Sequence, residues 1–270
     1  MNRSAVSFVV SLCSLIACSS DAAAASKYVL KQDPQAVAVA QAAFDAMGGA
    51  KAITGYQDSL AAGTATIYSG GDPVLYPITM KSKGLRETRV ELQMPKGTNV
   101  RIVNQGQGVI ERPDGTVKLL DSNNTFYEHV NHVPLLSVLA EYANGKVNLL
   151  YQGVQQVQAQ SEDVIEVDFV PSDDPSAGKA FATMSRTLFY VNQSTRLVDK
   201  IQSTPLYEGD NQNTLTEEVY LADYRSINGL LVPFHQTVFV DGKLETDLTF
   251  ASVTLNVGLS DAEFALPQGK

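Results

Sequence analysis

The chain has 270 residues and a formal net charge of −9, since 29 acidic side chains outnumber 20 basic ones. An acidic balance of this size argues against nucleic acid as a partner and against electrostatic docking on anionic lipid. The two cysteines, Cys13 and Cys18, lie close to the N-terminus, so the rest of the chain has neither a disulfide nor a thiolate metal site.

The N-terminal segment has the pattern of an export signal. Arg3 is followed by a short apolar run, which predicts a signal peptide over residues 1–17 and not a permanent membrane span. The tetrapeptide Leu15-Ile16-Ala17-Cys18 resembles a bacterial lipobox, which implies that Cys18 is acylated and tethers the mature chain to a membrane. Ser19 then implies an outer-membrane destination in the bacterial sorting scheme.

An alternative processing site follows the lipobox. Cleavage after Ala24 or Ala25 by ordinary signal peptidase would release a soluble periplasmic or secreted protein. In either case we expect residues 18–33 to form a linker and residues 34–270 to form a single domain. After the leader no apolar stretch approaches 18 residues, so no later membrane span is expected.

The first predicted element of the domain is a helix over residues 34–47. Asp33 is placed to be its N-cap and Pro34 its first residue, and Gly48-Gly49 ends it. Apolar residues recur along it at helical spacing and form a single stripe. The stripe consists of Val37, Ala40, Phe44 and Met47.

From residue 59 onward the apolar pattern changes to a period of two, which predicts ten or eleven β-strands. Turn signals separate them, among them Pro113-Asp114-Gly115, Asn228-Gly229 and Asp241-Gly242. The polar stretch 172–179 predicts a loop. In the last strand the phase of the apolar residues changes near Ala251, which indicates a β-bulge.

The strand pattern is interrupted once, by a predicted second helix from Pro134 to Tyr142. Asn144-Gly145 ends it. Leu135, Val138, Leu139 and Tyr142 share one face, but Leu136 lies off that face. A helix that is apolar around much of its circumference is expected to be buried or to face a cavity.

The sequence contains no G-x-S-x-G, H-E-x-x-H or Walker motif. The histidines, His129, His132 and His235, are predicted to be loop residues, because a metal site needs three or four converging ligands. We therefore expect a non-enzymatic protein with no cofactor and no metal.

Together these elements predict a mainly β fold with two helices. A single, strongly curved antiparallel sheet would form a half-open β-barrel, with the helices as its lid and plug. Incomplete closure leaves room for an apolar ligand, although the same side chains can also fill the space as core, and the spacing leaves both interpretations open. The candidate cavity residues are Phe44, Met47, Leu135, Leu136, Val138, Leu139 and Tyr142.

Four stretches of the chain carry a resemblance to known proteins. Two of them are residues 43–53 of the opening helix and residues 62–64 of the first strand. The most specific are Tyr-x-x-Ile-Asn-Gly-Leu-x-Val-Pro over residues 224–233 and Asn-x-Gly-Leu-x-Asp-x-x-Phe-x-Leu-Pro over residues 256–267. These stretches resemble the LolA/LolB-type superfamily of periplasmic lipoprotein carriers and outer-membrane lipoprotein-sorting-like proteins, and the order of elements matches over nearly the whole mature chain.

This resemblance implies a half-open barrel whose helices cover an apolar cavity that holds acyl chains. The implied partner is a lipid or an acylated protein, met on the periplasmic side of a bacterial envelope, and we expect the chain to be a monomer. The carriers' gating arginine has no matching motif here, so no residue is assigned to that role. The alternative is an envelope interaction or stress-sensing module that uses the same barrel without lipid cargo.

Overall fold

The computed structural model describes residues 27–68, 70–84, 86–128, 133, 135, 146–170, 173–206 and 213–267. It confirms the predicted class, a mainly β fold built on one antiparallel sheet, but with 13 strands. The strands are β1 Asp58–Ile67, β2 Val74–Lys83, β3 Glu87–Met94, β4 Gly97–Asn104, β5 Gln107–Glu111, β6 Val117–Leu119, β7 Val147–Val157, β8 Gln160–Phe169, β9 Thr187–Asn192, β10 Val198–Ser203, β11 Glu217–Ile227, β12 Leu230–Val240 and β13 Lys243–Leu255.

Four helices belong to the described part of the chain. They are α1 Pro34–Ala46, α2 Gly49–Thr54, α3 Ser122–Tyr127 and α4 Pro175–Met184. The predicted ends of α1 are confirmed, since the Asp33 side chain accepts a hydrogen bond from the Gln35 amide and Gly48 adopts a φ of 126°. Among the described residues, no helix has the length and apolarity needed to cross a bilayer.

The expected loop over residues 172–179 is wrong, because α4 occupies most of it. Asp174 accepts a hydrogen bond from the Ala177 amide at 2.8 Å, and Pro175 opens the helix. This is the same Asp-Pro start that predicted α1. Helix α3 was also not predicted, and most of the predicted helix over residues 134–142 lies outside the described residues.

The sheet is open between two strands that follow each other in the chain. Its order is β6-β5-β4-β3-β2-β1-β13-β12-β11-β10-β9-β8-β7, so β6 and β7 are the two edges. Gln32 forms a parallel bridge with Leu149 of β7, and the Asp33 amide donates to the Leu149 carbonyl at 2.9 Å. This short pairing shields part of one edge from other strands.

The main core fills the concave face of the sheet. Helix α1 packs against β7 and β8 and buries Ala36, Ala40, Ala43 and Phe44. Val133, from the segment that joins α3 to β7, crosses to the central strands. Its carbonyl accepts a hydrogen bond from the Ser59 hydroxyl, and its amide donates to the Ser82 hydroxyl at 3.3 Å.

A smaller core lies on the convex face. Val100, Ile102 and Val109 form it, and Leu266 packs against them. The closing 3-10 helix Asp261–Phe264 crosses β3 and β4 there, held by an ion pair of 2.7 Å between Lys81 and Glu263.

The predicted bulge near Ala251 is confirmed. In the pairing of β1 with β13, Ala62 faces Ser252 and Gly63 faces Phe250, so Ala251 is the additional residue. A Cβ atom on Gly63 would lie 2.1 Å from the Thr249 carbonyl oxygen, so only glycine allows this close approach.

Candidate functional site

Helix α3 bridges the gap between the two halves of the open sheet. On one side it packs over β5, where a Cβ atom on Gly108 would lie 2.8 Å from the Thr125 hydroxyl. On the other side the side-chain nitrogen of Asn123 donates a hydrogen bond to the Met184 carbonyl at 2.9 Å. The side-chain oxygen of Asn123 accepts one from the Leu206 backbone amide, also at 2.9 Å. The helix therefore spans from β5 to the segments that precede β9 and follow β10.

A cavity of about 530 Å³ opens beside α3, at the end of the sheet that carries the β12–β13 turn. We call it the mouth cavity. Its apolar wall combines side chains from β5, α3, β13, the residue that follows β1 and the β10–β11 connection. They include Tyr68, Ile110, Tyr127, Leu206, Leu215 and Leu244.

Charged side chains line the same cavity, and we call them its polar wall. They are Arg101, Glu128, Glu217, Asp241, Lys243 and Glu245. The Arg101 guanidinium donates to the buried Glu128 carboxylate at 2.5 Å, which ties α3 to β4. Four carboxylates face two basic groups, so the cavity has an excess of negative charge.

Glu217 is the most perturbed of these carboxylates. Burial raises its pKa to about 7, and the negative charges of Glu128 and Glu245 act in the same direction. The positive charge of Arg101 and a hydrogen bond from Ser203 oppose the shift. Glu217 therefore holds its proton to a higher pH than an ordinary carboxyl group does.

The strand pattern explains why these charges point into the cavity. Glu217 shares the phase of the buried Val219 and Leu221 along β11, which places it on the concave face. Glu245 is the additional residue of a β-bulge, because Val238 pairs with Thr246 and Phe239 pairs with Leu244. Bulges of this kind re-aim a side chain.

A second cavity, of about 400 Å³, lies at the opposite end of the sheet. It separates α2 from the β11–β12 turn and the end of β13. Its lining includes Ala52, Tyr56, Leu230 and Leu255. Burial raises the pKa of the Tyr56 hydroxyl well above its ordinary value, so that phenol stays protonated.

Comparisons with solved structures identify the fold. A DUF1329 family protein from Desulfovibrio piger matches with a TM-score of 0.57 at 14% identity, over 85% of this chain and 97% of that one. A domain described as an outer membrane lipoprotein-sorting protein, from Vibrio parahaemolyticus, matches with a TM-score of 0.55 at 12% identity, over 85% and 97%. A LolA superfamily protein from Nitrosomonas europaea matches with a TM-score of 0.52 at 13% identity, over 86% and 97%.

The chain has a LolA-like fold. At these identities the likeness concerns the fold alone. No protein-family model matches the chain, and no curated protein matches it significantly.

The sequence signatures of the LolA-like fold have structural roles here. The Asn228-Gly229 turn packs on the end of α1, where a Cβ atom on Gly48 would lie 2.5 Å from the Gly229 carbonyl oxygen. The Leu231 amide donates to the Met47 carbonyl at 3.0 Å. In the second signature, Asn256 bridges to the segment before β1 by donating to the Gly55 carbonyl and accepting from the Gln57 amide, both at 2.8 Å.

The predicted cavity residues fall in two groups. Phe44, Met47 and Leu135 are buried together in the main core, and none of them lines the mouth cavity or the second cavity. Leu136, Val138, Leu139, Tyr142 and the lipidation residue Cys18 lie outside the described residues. Their predicted roles are not tested by the structure.

The histidine prediction is wrong for His235, which lies within β12 and not in a loop. Its Nε2 atom is 3.1 Å from the Asp247 carboxylate on β13. His129 and His132 lie outside the described residues. Among the residues that are described, no group of three His, Cys, Asp or Glu side chains is arranged to hold a metal ion.

Sequence reasoning missed the mouth cavity because its charges come from five separate elements. A signal was nevertheless present. Glu217 stands in phase with Val219 and Leu221, and Arg101 stands in phase with Val103 on the neighbouring half of the sheet. A charged residue at an inward strand position indicates a polar site within the core face.

Proposed function

We propose that this chain is a non-enzymatic protein of the bacterial envelope that binds a lipid, or the acyl chain of a lipoprotein, at the open seam of its sheet. The mouth cavity is the observation that supports this most directly. Apolar side chains from both sides of the seam line a space of about 530 Å³, a size typical of sites for small apolar ligands. The LolA-like fold, shared with a lipoprotein-sorting domain, agrees with this function.

A long chain would extend from the mouth cavity toward the concave core. Phe44, Met47 and Leu135 are packed against their neighbours, so they would meet a ligand only after α1 moves aside. Such opening exchanges internal packing for packing on the ligand, which is a shift between closed and open populations. Leu136, Val138, Leu139 and Tyr142 are the further contacts that we propose for such a chain.

The leader supports a location on the periplasmic side of the envelope. Acylation of Cys18 would tether the domain to the outer membrane, and cleavage after Ala24 or Ala25 would leave it soluble. In either case the binding domain would work beside a membrane.

The proposed binding is tested by a series of straight-chain alcohols that compete with an apolar fluorescent probe. Burial of each additional methylene contributes about 0.8 kcal/mol, which is about a fourfold gain in affinity. We expect the dissociation constant to fall by about this factor per methylene until the cavity is full. A flat series would contradict the proposal and favour the interaction module without lipid cargo.

A matched pair of variants locates the site. Leu215 lines the mouth cavity, whereas Leu75 is 66% exposed and lines neither cavity. We expect Leu215→Glu to weaken alcohol binding at least tenfold and Leu75→Glu to leave it unchanged. Equal affinities of the two folded variants would place the bound chain elsewhere.

A further inference from the structure

The polar wall of the mouth cavity has a specific imbalance at Glu217. Arg101 is engaged by Glu128 at 2.5 Å, and among the residues that the structure describes Glu217 forms no ion pair. Glu128, which follows α3, and Glu245 on β13 act on Glu217 with negative charge, whereas Arg101 acts on it with positive charge and Ser203 on β10 donates a hydrogen bond to it. The remaining charged groups of the lining are Asp241, in the β12–β13 turn, and Lys243, the first residue of β13, and both are exposed.

A half-buried carboxylate beside two others is costly to ionise, which is why its pKa is raised to about 7. A cation placed against it would remove that cost, because the attraction is strong where water is partly excluded. An anionic group at the same place would be repelled by all three carboxylates. The electrostatics of the cavity therefore discriminate between ligand head groups by the sign of their charge.

Apolar side chains line the same cavity. Ile110, Leu206, Leu215 and Leu244 surround it together with two tyrosine rings. A ligand that satisfies both walls must have a hydrocarbon portion and a positively charged end. A purely apolar molecule would leave Glu217 without a cation, and a purely polar cation would leave the apolar wall unfilled.

We propose that the mouth cavity binds amphiphiles whose polar end is a protonated amine, with the amine against the Glu217 carboxylate and the hydrocarbon portion against the apolar wall. This inference rests on the proposed function, since it assumes that the cavity accepts a chain. It adds the chemical class of the head group.

The test compares three ligands that share a ten-carbon chain, namely decylamine, decanol and decanoate, by titration calorimetry at pH 8. At this pH the amine is protonated, the alcohol is neutral and the carboxylate is ionised. We expect decylamine to bind at least tenfold more tightly than decanol, and decanoate to bind more weakly than either. Lowering the pH to 6 protonates Glu217, so decylamine binding should weaken while decanol binding stays constant.

The variant Glu217→Gln should reduce the affinity for decylamine to about that for decanol. Glu87→Gln, a carboxylate at the opposite end of the sheet, should alter neither. Removing a repelled charge is not expected to unfold the protein, and the comparison of the three ligands on the natural chain does not depend on any variant.

Two negative results have different meanings. Equal affinities of the natural chain for decylamine and decanol, or decylamine binding that is unaffected by Glu217→Gln, would overturn the head-group inference and leave chain binding intact. Failure of all three ligands to bind would overturn the proposed function at this cavity and the inference with it.

Discussion

Asp58 shows how one carboxylate can join both ends of the domain. It is almost fully buried at the start of β1, and its oxygens accept hydrogen bonds from the backbone amides of Val257, Gly258 and Leu259 at 2.7 to 3.3 Å. Those amides belong to the Asn-x-Gly-Leu signature. The physical role of that signature is therefore to direct consecutive N–H groups toward an anion on the first strand.

Replacing Asp58 with Ala is expected to destabilise the domain by about 3 kcal/mol, because three partly buried amides lose a charged acceptor. Urea unfolding followed by circular dichroism measures the change. Asp72→Ala, at an exposed carboxylate in the β1–β2 turn, is the control and should change stability by less than about 0.5 kcal/mol. Equal midpoints for the two variants would show that the signature is not anchored through Asp58.

At the scale of elements, the helix ends and turns that depend on neighbouring residues could be predicted from short sequence motifs. The Asp33-Pro34 start and the Gly48 end of α1 could be read from the sequence, as could the turns at Asn228-Gly229 and Asp241-Gly242. Helix α4 begins with the same Asp-Pro signal, but the polar residues of its first turns led to the prediction of a loop. Helix α3 has six residues and no clear stripe, so only its tertiary contacts identify it.

Long-range relationships were not predictable for a different reason. Nothing in β1 or β13 indicates that the two strands pair, and nothing in β6 or β7 indicates that they do not. The mouth cavity depends on these pairings, since it brings together side chains that are up to 177 positions apart, from Tyr68 to Glu245. The class of fold could be predicted, whereas the location of the site could not.

Substitution of two adjacent asparagines tests whether α3 is attached across the open seam of the sheet. Asn123 binds Met184 and Leu206 on the far side, whereas the Asn124 amides bond only within the helix start, to Asp121. We expect Asn123→Ala to raise the hydrogen-exchange rates of α3 amides about thirtyfold, as two hydrogen bonds of about 1 kcal/mol each are lost. Asn124→Ala is the control, and an equal effect of both variants would refute the bridge.

At the scale of the whole molecule, buried carboxylates determine how stability responds to pH. Burial raises the pKa of Glu162 to about 7, with the negative charge of Asp199 contributing, and it raises the pKa of Asp168 to about 6. Burial likewise raises the pKa of Glu217 to about 7. Between the ordinary pKa and these raised values, the folded chain binds more protons than the unfolded chain. Stability must therefore fall as the pH rises through this interval.

We expect the Tm to be higher at pH 5.5 than at pH 8, by about 2 °C or more for a domain of this size. Glu162→Gln should raise the Tm at pH 8 and reduce the difference, since the amide that replaces the carboxylate carries no charge to bury. Thermal unfolding across this pH range measures both effects. Asp223→Asn, at a carboxylate whose pKa Arg225 lowers, is the control and should not reduce the difference. A Tm that rises with pH would contradict the assignment.

The pairing of β1 with β13 has a consequence for how the chain acquires its structure. Strands β1 to β6 form one meander of neighbouring hairpins, and strands β7 to β13 form another. Among the described strands, β1 with β13 is the single pairing that joins the two meanders, and it connects residues as far apart in the chain as Ser59 and Leu255. Closing so long a loop is slow compared with forming a hairpin. We therefore expect two half-sheets to assemble first, and their docking along this one ladder to limit the rate of folding.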